Sequence, residues 1–441
     1  MPAREIGTAT RSGLSLRVWL ALAAVLAAGM ALRLVWLDDI EYKIDEEWTW
    51  YHAHAAGRTE PFPWVGMPTS AGPENPGMSL WVFIPLGWLG ERPADLARGV
   101  AGLSIAALLI TVLFAFRSVP PRDREMWLWA AALSAVHPLS VLHHRKIWPP
   151  CTFPLLGVLF VICWWHRDRR LFAFGWGALG SVLAQINPSA GFFAAGFALW
   201  SWVGRRSPIA WKSWLLGSAL ASLPLIPWFI HISTVSTQPH VTTLKWTRLL
   251  EGKFFLRWFT EPFGIGLDHA LGDDYVDFLR QPVLAGVPTH LVGILHLTAL
   301  SIAVAIGWRW LRDWRRRNGR RADWQSALFP HDSATALACN ASLWGYGILL
   351  TLTCLPLHRQ YMIVVYSIEL LWVAQTALKV DGGHEDALKT ARRLLGGLVV
   401  VQLLISASFL SYVHVKQVIH GDYGVALCAQ RPGSHGAAIA R

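Results

Sequence analysis

Long apolar runs separated by short basic loops dominate this chain and restrict what it can fold into. No water bonds the backbone inside a bilayer, so an apolar run of about 20 residues has one workable solution, the α-helix. The first run ends at Leu37, behind Arg4, Arg11 and Arg17. It is long for the apolar core of a signal peptide, and no small-residue cleavage site is evident. Further spans are expected near 97–116, 126–143, 150–165, 171–187, 189–203, 211–231, 287–310, 336–356, 361–379 and 394–415. Together they predict an all-α polytopic membrane protein with about eleven transmembrane helices. Met78 to Gly90 is apolar but short, and reads as a juxtamembrane or re-entrant helix in the first outer loop. Charged residues make up 15% of the chain, against roughly 25% in soluble proteins.

Basic residues set the expected orientation. The leading arginines place a tail, residues 1–14, in the cytoplasm. The inner loops then hold Arg117, Arg122 and Arg124; Arg167, Arg169 and Arg170; Arg205, Arg206 and Lys212; the cluster from Arg312 to Arg321; and Lys389, Arg392 and Arg393. Inverting the topology would move all of these outside. The net charge of +11 is therefore a topology signal and not a nucleic-acid footprint. The membrane domain is expected over 15–415, with a first outer loop at 38–96 and a larger one at 232–286. Residues 416–441 would form an extracytoplasmic tail. In the larger loop, Lys253 to Trp258 and Asp273 to Leu279 read as short amphipathic helices. The five cysteines form no CxxC pair and no metal-ligand spacing.

With this topology, polar groups from distant segments share the outer face. Asp45, Glu46 and Glu47 follow the first span, His143 to Lys146 end the third, Gln185 and Asn187 end the fifth, and His358 to Tyr361 join the ninth and tenth. Taken singly, each has a plainer reading. Acids after a first span are often a solvated loop, Arg145 and Lys146 beside Trp148 suit interfacial snorkelling, and Gln185 and Asn187 suit helix ends. Carboxylates facing cations nevertheless suit a reaction with a phosphate leaving group. The carboxylate takes a proton from an acceptor hydroxyl, and Arg and Lys hold the departing phosphate. No Gly-rich phosphate loop follows a strand. Adjacent carboxylates are also a ligand type for a divalent ion.

These residues resemble the GT-C membrane glycosyltransferases, especially family 39 and its bacterial relatives, which include protein O-mannosyltransferases and lipid A aminoarabinose transferases. Asp45-Glu46, followed by Trp48, Tyr51, Ala53, Ala55 and Ala56, is similar to the acidic pair and small-residue helix of that family. Asn75-Pro76-Gly77-Met78, Leu86 to Gly90 and Arg98 are similar to its next turn and apolar stretch, with Gly77 where a second Pro is usual. Pro138 to Arg145 matches a Pro to Ser-Arg spacing, with His144 in place of Ser. Arg359-Gln360-Tyr361 resembles a late Arg-Tyr with one residue inserted. The matches run to about residue 160 and reappear near 358.

The resemblance implies a GT-C-like fold and a polyprenyl-phosphate sugar donor. The sugar would pass, with inversion, to a lipid, glycan or protein hydroxyl on the outer face of the plasma (inner) membrane. It implies Asp45 as general base and Glu46 as its partner. Arg145 and Lys146, supported by Arg359, are the candidates for the donor phosphate. His144, Tyr361 and Asn75 are candidates for substrate binding. No cofactor is required, and no metal ligands are assigned. The rival reading is a transporter or flippase. It calls for charges near the midplane, where Glu369 is the main candidate.

Overall fold

The computed structural model describes residues 16–68, 74–204, 208–234, 245–318, 333–354, 356–379 and 385–430. The expected tail 1–14, Arg205, Arg206, Arg320, Arg321 and the last residues of the 416–441 tail lie outside them. The chain opens with α1 (Leu16–Leu34), α2 (Ile44–Ala55), and the single turns α3 (Met78–Trp81) and α4 (Ile84–Gly87). There follow α5 (Pro93–Arg117), α6 (Pro121–Val136), α7 (Pro138–His143), α8 (Phe153–Trp165), α9 (Arg170–Ile186) and α10 (Pro188–Gly204). Next are α11 (Trp211–Ala221), α12 (Leu225–Thr234), α13 (Lys253–Thr260), α14 (Asp268–Leu271) and α15 (Tyr275–Leu279). A two-residue antiparallel hairpin, β1 (Val283–Leu284) with β2 (Val287–Pro288), precedes α16 (Leu291–Asn318). The last helices are α17 (Ala334–Leu352), which carries a π-helical segment at Ala341–Tyr346, α18 (Tyr366–Leu378) and α19 (Glu385–Lys416).

The expectation of about eleven spans is overturned. Among the described residues, five helices are long and apolar enough to cross a membrane: α1, α5, α16, α17 and α19. The α11–α12 pair, bent by 49°, makes a sixth if it counts as one span. Length is the main reason, with proline at several of the breaks, because it lacks an N–H and biases the residue before it away from the helical region. The run expected at 126–143 is cut at His137, where Pro138 starts α7. Pro149 and Pro150 occupy a 3-10 turn that leaves α8 with 13 residues, and Pro188 separates α9 from α10 at 17 residues each. The segment expected at 361–379 begins as 3-10 helix over Arg359–Val365, so α18 keeps 13 residues. At about 1.5 Å per residue, such pieces fall short of the ~30 Å hydrocarbon core. The stretch at 78–90 forms the two single turns α3, which packs on α2 and α9, and α4, which packs on α2 and α5.

Helix α6 lies at the centre, against α1, α5, α18 and α19. Its Ala130, Ala131, Ala132 and Ala135 are buried; in lipid, such small residues permit the close backbone approach that holds helices together. The α9–α11 contact goes further, since a Cβ on Gly217 would lie 2.1 Å from the Phe174 carbonyl oxygen. At the C-terminal end of α6, the His137-Pro138 break redirects the chain. His137 Nδ1 accepts from the Ser140 N–H at 3.2 Å, capping α7, and the turn after α7 delivers His143 to Lys146. In the loop between α12 and α16, α13 buries Phe254 and Trp258, and the stretch from Asp273 to Leu279 forms a 3-10 turn followed by α15. After α19 the chain folds back as a strap. Leu427 N–H donates to the Ile40 carbonyl at 3.0 Å and Tyr423 N–H to the Ala270 carbonyl at 2.9 Å, and Glu41 bridges to Ala426.

Candidate active site

The first turn of α2 sorts its carboxylates. Glu46 Oε2 accepts the Lys43 N–H at 2.9 Å, so this side chain reaches back to satisfy one of the orphan donors of the helix start. Glu46 is fully buried, and its Oε1 lies 3.0 Å from Lys146 Nζ. The same ammonium donates to Glu41 Oε1 at 2.7 Å, and Lys43 also contacts Glu41. Burial works against the charge on Lys146, but Glu41 and Glu46 outweigh it and hold its pKa above the ordinary lysine value. Burial pushes the Glu41 carboxyl up, against the pull of Lys146. Asp45 differs from both neighbours. It is half-buried, and among the described residues no hydrogen bond or ion pair engages its carboxylate.

Asp45 faces a cavity of about 330 Å³ that Lys146 and Arg359 also line. Small-molecule pockets run from about 300 to 1,000 Å³. Arg359 enters from the 3-10 helix before α18. Its Nε donates to Glu261 Oε1 at 2.9 Å, a guanidinium nitrogen donates to the Gly266 carbonyl, and Nη2 lies 3.4 Å from Asp268 Oδ1. Burial raises the Glu261 carboxyl to about 7, although Arg359 and Arg257 pull it down.

Other candidates from the sequence sit elsewhere. Arg145 turns away from the cavity: Nη1 donates to the Leu32 carbonyl at 3.1 Å and Nη2 to that of Trp36 at 2.6 Å, securing the end of α1. His144 is buried behind the site, with Nδ1 2.7 Å from Ser104 Oγ and 3.1 Å from Arg33 Nη2. Asn75 bonds the Met67 carbonyl at 3.3 Å in a loop docked on α12, where Trp228 donates to the Glu74 carbonyl at 2.8 Å. The Tyr361 carbonyl accepts from Tyr346 at 2.7 Å, and its ring meets that of His358, which does line the cavity, edge-on at 5.8 Å.

Several lining residues were not singled out from the sequence: Glu41, Arg257, His269 and Asp422, while His143 was named only as part of the run ending the third expected span. His143 and Lys146 are three apart around the turn that hides His144 and Arg145, so the helical period carried that signal. Arg257 shares α13 with the buried Phe254 and Trp258 but points into the cavity. Asp422 comes from the strap and pairs with Lys43 at 3.5 Å and His269 at 3.6 Å; nothing local in its sequence marks it.

No protein-family model matches the chain, and no curated protein matches it. Among solved structures, ArnT from Cupriavidus metallidurans in the apo state is similar, with a TM-score of 0.50 and 12% identity over 90% of this chain and 76% of that one. AglB, the archaeal oligosaccharyltransferase from Archaeoglobus fulgidus, solved with an inhibitory peptide and a dolichol-phosphate, gives 0.45 and 14% over 90% of this chain and 56% of that one. The likeness to ArnT covers most of both chains but singles out no family. It is a likeness of fold, so the chemistry has to be argued from the residues of this chain.

Proposed function

We propose that the chain is an integral-membrane glycosyltransferase, moving a sugar from a polyprenyl-phosphate-linked donor to an acceptor hydroxyl on a lipid, glycan or protein. The observation that carries this reading is the Asp45 carboxylate, unengaged and facing the cavity that Lys146 and Arg359 line. Asp45 takes the hydroxyl proton of the acceptor. The acceptor oxygen attacks the anomeric carbon from the side opposite the phosphate, the sugar–phosphate bond breaks, and the configuration inverts. Lys146 and Arg359 receive the departing phosphate, with charge-assisted hydrogen bonds that strengthen as negative charge develops. Glu46 and Glu41 position Lys146, and Arg145 anchors α1 instead of binding phosphate. A polyprenyl chain belongs in lipid and the sugar in water, so the reaction suits a membrane boundary, and the arginines ahead of α1 favour the extracytoplasmic one. The cations come from the chain itself, so no divalent ion is required; transfer that survives EDTA treatment checks this.

The decisive variant is Asp45→Asn, assayed in membranes with labelled donor. The expected result is a loss of at least about 10²-fold, the usual weight of a general base. Transfer at the wild-type rate would overturn the assignment. The face is tested separately with Tyr51→Cys in a Cys428→Ser background. An impermeant maleimide should label it from outside, and labelling only after permeabilisation would place the site on the other side.

A further inference from the structure

Behind the cavity lies a carboxylate that the transfer reaction does not use. Glu261 opens the 3-10 turn Glu261–Phe263 after α13 and is 2% exposed. Its Oε1 accepts from Arg359 Nε at 2.9 Å and lies 3.8 Å from Arg257 Nε, while its Oε2 is buried with no hydrogen-bond partner. The ionisable groups facing it come from several elements. They are Arg257 on α13, Asp268 on α14, Arg359 before α18, and Glu369 on α18, whose two carboxyl oxygens are likewise buried without partners. His137 Nε2, from the α6–α7 break, donates to the Glu261 carbonyl at 2.8 Å. Around the cavity stand His143, His269 and His358.

We propose that Glu261 is a proton-coupled latch on Arg359: a phosphate entering the cavity draws the guanidinium away, and the released carboxylate takes up a proton. The proposal rests on reading the cavity as the donor-phosphate site. At rest, Arg359 is already neutralised by Glu261 and Asp268, so an incoming anion competes with them. Unlatching leaves Glu261 buried beside Glu369 with neither oxygen well bonded, which favours the neutral carboxyl. The proton comes from bulk water, forms one O–H bond on Glu261, and returns when the phosphate leaves. No other covalent bond changes. Glu261 touches neither sugar nor phosphate, so it is a positioning residue.

The sign follows from linkage. The free carboxyl, raised by burial to about 7, rises further once Arg359 is engaged elsewhere, so the bound state holds more protons. Affinity for a phosphate should increase as pH falls through 7, by about tenfold between pH 8 and pH 6, with uptake of about half a proton at pH 7. Burial pushes His143 down to about 3, so it does not titrate in this window.

The test uses the full chain in nanodiscs and methyl farnesyl phosphate, a phosphodiester whose single charge is constant across the range. Calorimetry at pH 7 in two buffers of different ionisation enthalpy reads the proton directly. The wild type should show the uptake and the tenfold pH dependence. Glu261→Gln should bind at every pH about as tightly as the wild type does at pH 6, with no uptake, whereas Glu261→Asp and the His269→Asn/His358→Asn double variant keep the uptake. If Glu261→Gln does not fold, the double histidine variant decides. Binding without uptake overturns the latch and leaves the phosphate site standing. Uptake that persists in Glu261→Gln, or vanishes in the double histidine variant, also overturns the latch. No binding at any pH overturns the phosphate reading and the latch together.

Discussion

Neighbouring carboxylates on one helical turn meet opposite fates here, and the difference is measurable. Glu46 is buried, caps α2 and binds Lys146, while Asp45 faces the cavity unengaged. Asp45→Asn should therefore melt like the wild type in detergent while losing transfer. Lys146→Met should do the reverse of sparing the fold. It strands Glu46 and strips Glu41 of one partner, and breaking a buried pair costs about 3–5 kcal/mol. A clear drop in melting temperature for Lys146→Met beside none for Asp45→Asn is the expected pattern. The acidic run itself was legible in the sequence, but which acid stays free was not. That depends on the capping bond to Lys43 and on the depth of Lys146, both settled by tertiary packing.

Helices were legible as elements, and their ends less so. Apolar composition marks a segment as helical without saying where it is cut. One cut, at Pro138, falls inside an expected span, its proline outweighed by the hydropathy around it, whereas the breaks at Pro149, Pro150 and Pro188 fall at expected boundaries and only the spanning length was misjudged. Glycine carries the complementary signal. A Cβ on Gly177 would meet the Trp214 carbonyl oxygen at 2.1 Å, as one on Gly217 would meet that of Phe174. Gly217→Leu should pry α9 from α11, because the obstacles are backbone atoms that cannot rotate aside. The expected outcome is a lower melting temperature, compared with a conservative change at the exposed Leu216.

At the scale of the molecule, Asp45, Lys146 and Arg359 come from three distant segments and line one cavity. Orientation rules, applied to an eleven-span count that does not hold, predicted a common membrane face for them. They did not predict that Arg145 would turn toward α1 or that the strap would contribute Asp422, since side-chain direction in a turn and the return of a tail leave no local pattern. Truncation after Lys416 should lower transfer by more than tenfold while α19 still inserts, checked by activity and by membrane fractionation. The strap also imposes an order on biosynthesis. Its residues leave the ribosome after every membrane helix described here, so the wall they build closes only once α19 has been synthesised. A nascent or prematurely terminated chain would carry Asp45 and its cations in an unfinished pocket, complete only once translation had passed α19.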